Sequence, residues 1–172
     1  MQQAIVLDSL LPLPENINDG LYLALVGTHR LPPHVALIHQ GLYFAQTVKG
    51  PQIGRQAADV IQVLQNRQIP FLLLELKSSS TSSAPNNFFI ELKPLEKGHS
   101  CIEPIVDYLK HTVSLQVKKP YLHGLLQALI QAELLSATYA LPMPEKAQFT
   151  LEPYGKERID WRISNLQKRS NP

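Results

Sequence analysis

Three side chains in this sequence are of the types that nucleophilic chemistry needs. They are the single cysteine Cys101, the histidine His34 that opens an apolar run, and Gln46 at the end of the next run. A thiolate is a strong nucleophile, and an imidazole within reach takes its proton or pairs with its charge. A polar partner on the far side of the ring fixes the tautomer and leaves the other nitrogen facing sulfur. Cys101 as nucleophile, His34 as base and Gln46 as orienting group would form a Cys-His-Gln triad. Each residue also has a plainer reading. A lone cysteine is commonly buried packing, a strand histidine can be a satisfied core residue, and a strand glutamine can simply be hydrogen-bonded.

The elements that must position these groups can be read from periodicity. Residues 34–38 and 42–47 form a β-hairpin. A two-residue loop, Gln40-Gly41, would pair His39 with Leu42 and set His34 opposite Thr47. A three-residue loop, His39-Gln40-Gly41, would pair Ile38 with Leu42 and set His34 opposite Gln46. Gly41 in third place supplies the left-handed residue of the longer loop, so the second register is expected. It places His34, Ala36, Ile38, Leu42, Phe44 and Gln46 on one face. Both faces are largely apolar, which predicts a sheet covered on both sides. Ser100-Cys101-Ile102-Glu103 fits a capping box, which puts Cys101 at a helix start where thiolate is favoured. Ile102, Ile105, Val106 and Leu109 are that helix's buried stripe.

The order of these elements resembles the circularly permuted NlpC/P60-like group of papain-fold proteins, which includes the lecithin:retinol acyltransferase-like enzymes. His34-Val35-Ala36-Leu37-Ile38 followed by Gly41-Leu42-Tyr43-Phe44 looks like the group's histidine strand and its neighbour. Ser100-Cys101-Ile102-Glu103 looks like its cysteine-bearing helix start. The resemblance covers roughly residues 21–110 and departs from the group at Gln46, where relatives often carry histidine or another polar residue. It implies a permuted papain-like architecture and thiol hydrolase or acyltransferase chemistry on an amide or ester bond, without metal or cofactor. A small peptide, a cell-wall fragment or a lipid would be the substrate. The alternative, from another class, is a non-catalytic binding module on the same fold that holds a lipid or peptide.

The rest of the chain reads as follows. Strands are expected at 4–11, 21–26, 71–76 and 88–92, and helices at 56–68 and 121–139. In the latter, Leu122, Leu125, Leu126, Leu129 and Ile130 should face the core. A last hairpin is expected from 148–151 and 158–163 around Tyr154-Gly155. The polar stretch 78–87 reads as a mobile loop. The fold class is therefore α+β, an antiparallel sheet packed against helices. The 172 residues make a single domain, with the helix and hairpin of 121–163 following the core.

Composition narrows the functional classes. With 44% hydrophobic and 17% charged residues, the chain can bury a core. A net charge of +2, with no basic patch interleaved with aromatics, argues against nucleic acid as partner. One cysteine excludes an internal disulfide and fits a reducing compartment. The N-terminus reads as neither signal peptide nor membrane span, so a cytoplasmic protein without stable membrane insertion is expected.

Overall fold

The computed structural model describes residues 3–78, 83–118 and 121–170. Its centre is a six-stranded antiparallel sheet in the order β5-β4-β3-β2-β6-β7. The strands are β2 (Leu21–Val26), β3 (His34–His39), β4 (Leu42–Thr47), β5 (Gly50–Gln56), β6 (Phe71–Leu76) and β7 (Leu135–Leu141). A separate two-stranded sheet joins β1 (Ile5–Leu7) to β8 (Phe149–Leu151). The helices are α1 (Ala57–Asn66), α2 (Asn86–Phe89), α3 (Glu103–Val113), α4 (Leu122–Gln131) and α5 (Lys156–Ser170). An α+β chain with an antiparallel sheet and helices is what the sequence led us to expect.

The strands are apolar on both faces because both are covered. Leu23, Leu25, Val35, Leu37, Phe44 and Leu74 belong to one core, together with Ile105 and Leu109 of α3 and the leucines of α4. Ala24, Ala36, Ile38, Tyr43, Ala45 and Leu73 belong to the other, under Val60, Ile61 and Leu64 of α1. Small residues on this second face let α1 approach closely. Leu122, Leu125, Leu126 and Leu129 are fully buried. At about 1.5–3 kcal/mol each, they anchor α4 more strongly than its helix propensity could.

Several expectations are corrected. The β3–β4 pairs are Leu37↔Phe44, Ile38↔Tyr43 and His39↔Leu42, which leaves the two-residue loop Gln40-Gly41. Both loop residues have positive φ, 50° and 73°. Such a turn matches the right-handed strand twist, and this outweighs the cost of a left-handed glutamine. Residues 86–89 are helix, not the start of a strand. A short apolar run has no period of its own, and here Phe89 is buried while Ile90 is 65% exposed. The helix expected to reach 139 stops at Gln131, and residues 135–141 instead add β7 to the sheet beside β6. Ile130 is 44% exposed rather than core. The strand expected at 158–163 lies inside α5. Of the polar stretch 78–87, residues 79–82 lie outside the described residues, and Asn86 opens α2.

Candidate functional site

Strand β3 is paired with β2 along its whole length, down to Val26↔His34. Its pairing with β4 ends at Leu37↔Phe44, while β4 stays paired with β5 as far as Thr47↔Gly50. The two central strands therefore splay at the His34 end. Gln40 N–H bonds Gly20 O on the β2 side, so ladder alternation turns the N–H of Val35 toward β4. With β4 drawn away, that N–H lies near the Cys101 sulfur and favours its thiolate form. The cysteine's own N–H acts in the same direction.

The cysteine reaches this gap from the turn before α3. Glu103 Oε1 accepts the Ser100 N–H at 3.0 Å, and Ser100 Oγ accepts the Ile102 N–H at 3.4 Å. This local bonding fits the Ser-x-x-Glu pattern. Cys101 sits in the turn rather than inside the first helical turn, which begins at Glu103. His99, a rival base by sequence distance, is exposed and pairs with Glu103 at 3.2 Å.

A cavity of about 420 Å³ opens at the splayed end of the sheet, and His34, Gln46 and Cys101 all line it. The loop before β3 and the turn after β4 form its rim, with Arg30 and Lys49. Helix α5 closes it with Ile159, Arg162, Ile163 and Leu166. The helix is held there by Arg158 Nε, which donates to Leu31 O, and by Gln167 Nε2, which donates to Leu95 O. Asp160 also accepts the Gly98 N–H at 2.8 Å.

The three expected side chains share a cavity but are not joined to one another. In the observed register His34 shares the α1 face with Ala36 and Ile38, while Gln46 shares the opposite face with Phe44. Gln46 therefore does not stand across from His34, and its amide donates to Lys93 O at 3.1 Å. The His34 Nε2 is buried and has no hydrogen-bond partner among the described residues. Burial, and then the nearby Arg162 charge, lower the His34 pKa to about 4. Burial pushes the Cys101 thiol up to about 11, against the opposing pull of the two backbone N–H groups. Both groups are neutral at pH 7. With the thiol raised and the imidazole lowered, transfer of the proton from sulfur to the ring is uphill.

Arg30, Arg162 and the closing helix belong to none of the motifs that mark His34, Gln46 and Cys101 in sequence. The spacing Ile159, Ile163, Leu166 is helical and was available as a signal. The turn-forming Tyr154-Gly155 drew that segment toward a hairpin instead. Among the described residues no group of three or more His, Cys, Asp or Glu side chains gathers as a metal site, and no helix is long and apolar enough to cross a membrane. No family model, curated protein or solved structure matches the chain.

Proposed function

We propose that the protein is a binding module that holds a small, largely apolar ligand in the cavity at the splayed end of its sheet. The observation that carries this reading is the cavity itself. Its volume of about 420 Å³ falls in the range of about 300–1,000 Å³ typical of small-molecule pockets. Its exposed wall is mainly apolar, and His34 and Cys101 within it are neutral at pH 7. Neutral His34 and Cys101 suit recognition better than proton transfer, because the charged pair that thiol catalysis starts from is disfavoured here.

Cys101 provides the test, since it lines the cavity. Decanol added to the protein should slow alkylation of Cys101 by iodoacetamide and raise the thermal midpoint in a concentration-dependent way. If no apolar alcohol or acid slows alkylation, the cavity is not a binding site.

A second reading is a thiol hydrolase or acyltransferase, with Cys101 as nucleophile and His34 as base. It is favoured by the two backbone N–H groups at the sulfur, the kind of donors that stabilise a thiolate or a tetrahedral oxyanion. It also draws on the resemblance of the His34 and Cys101 segments to permuted papain-fold enzymes. It requires a bound state in which the His34 ring reaches the sulfur and the thiol pKa falls. Hydrolysis of an activated thioester that disappears in Cys101→Ala would put this reading first.

A further inference from the structure

The cavity wall carries three cationic side chains, Arg30, Lys49 and Arg162, and no aspartate or glutamate. Arg30 and Lys49 are exposed at the rim, whereas Arg162 is half-buried. Among the described residues Arg162 makes no ion pair or side-chain hydrogen bond, although Arg158 on the same helix bonds Leu31 O. Its cationic form is disfavoured by desolvation and by repulsion from Arg30 and Arg169. A guanidinium drawn toward an apolar wall without a counter-charge raises the energy of the empty protein, and an anion would relieve it. A guanidinium is also the group best shaped to take two oxygens at once.

A second polar feature lies at the same site. His34 Nε2 is buried and unpartnered, and Arg162 lies near enough to shift the ring's titration. An acceptor oxygen held by Arg162 could also accept from an Nε2–H, which would satisfy the ring. Beyond these groups the wall presents mainly apolar surface, from Val26, Val48, Ile69, Leu95, Ile163 and Leu166. Its further polar residues are Gln46, Thr47, Gln52 and Ser170. That apolar surface suits a hydrocarbon tail.

We infer that the ligand is an anionic amphiphile, with its head held by Arg162 and Arg30 beside His34 and its unbranched apolar tail against the aliphatic wall. This rests on the cavity being a binding site, and adds to it the charge and shape of the occupant. Carboxylate and phosphate heads share the required chemistry.

The test uses the full chain with four probes: decanoate, octanoate, decyl phosphate and decanol. Binding is read by calorimetry and by the slowing of Cys101 alkylation at pH 9, which reports the cavity alone. A charge-assisted head contact should make decanoate bind about tenfold or more tightly than decanol. Losing two methylenes should weaken octanoate about fifteenfold relative to decanoate. Arg162→Gln should cost decanoate and decyl phosphate about tenfold while leaving decanol unchanged. Arg30→Gln, at an exposed loop position, gives the same comparison should the Arg162 variant fold poorly. The tighter of decanoate and decyl phosphate names the head. Equal binding of decanol and both anions, insensitive to either arginine, overturns the anionic head but leaves the cavity as a binding site. Arginine-dependent binding without chain-length dependence overturns the amphiphile, since only a surface anion site would remain. Failure of every probe to slow alkylation overturns the binding reading and this inference with it.

Discussion

Acid should destabilise this protein through His34 in a way that one substitution removes. The ring is neutral in the folded state, with its pKa lowered to about 4 by burial first and the Arg162 charge second. In the unfolded chain it titrates near 6.5. Between those values the unfolded state binds the extra proton, so stability is present above pH 6.5 and is lost as pH falls toward 4. From pH 7 to pH 5 the loss attributable to His34 is about 2 kcal/mol. Urea unfolding at the two pH values measures it. With a urea slope of about 1–3 kcal/mol/M, the wild-type midpoint should fall by roughly 1 M more than that of His34→Gln. Carboxylates that titrate in the same interval are common to both proteins and cancel in the comparison. Arg162→Gln should give an intermediate result, because it removes only the smaller of the two causes. Parallel pH dependence in wild type and His34→Gln would refute an imidazole held neutral by its surroundings in the fold.

Three further outcomes follow from the same geometry. At neutral pH iodoacetamide should alkylate Cys101 about 300-fold more slowly than free cysteine, because a thiol at about 11 holds that much less thiolate than one at 8.5; a rate profile with its midpoint below 8.5 would contradict this. Gln46→Ala should cost about 1 kcal/mol of stability through the lost bond to Lys93 O, without changing Cys101 alkylation or the His34 pH effect; a change in either would restore Gln46 as a partner of the ring. Gly41→Ala should destabilise by about 1–2 kcal/mol in thermal or urea unfolding, since φ is +73° and the added Cβ would lie 2.7 Å from Asn18 Oδ1; an unchanged midpoint would count against the two-residue turn.

Local sequence determined the pieces of this protein. The runs 21–26, 34–39, 42–47 and 71–76 are strands because they are short, apolar and bounded by turn residues. Ser100 and Glu103 mark a helix start because their polar groups are satisfied within a few residues. Apolar residues on both strand faces required a sheet covered on both sides, and both cores are present. Where the deciding energy is not local, the sequence was silent or pointed the wrong way. The hairpin register turned on whether Gln40 would accept a positive φ, a cost that whole-strand pairing decides. Residues 135–141 continued a helical pattern in sequence but became β7 because β6 offered an open edge. The site depends most on tertiary structure. His34, Gln46 and Cys101 meet at one cavity because β3 and β4 part below Leu37 and α5 closes the opening, and no spacing in the chain encodes either event. The same packing sets their chemistry: desolvation keeps the thiol and the imidazole neutral, and it brings Arg162, more than a hundred residues from His34, to the cavity they share.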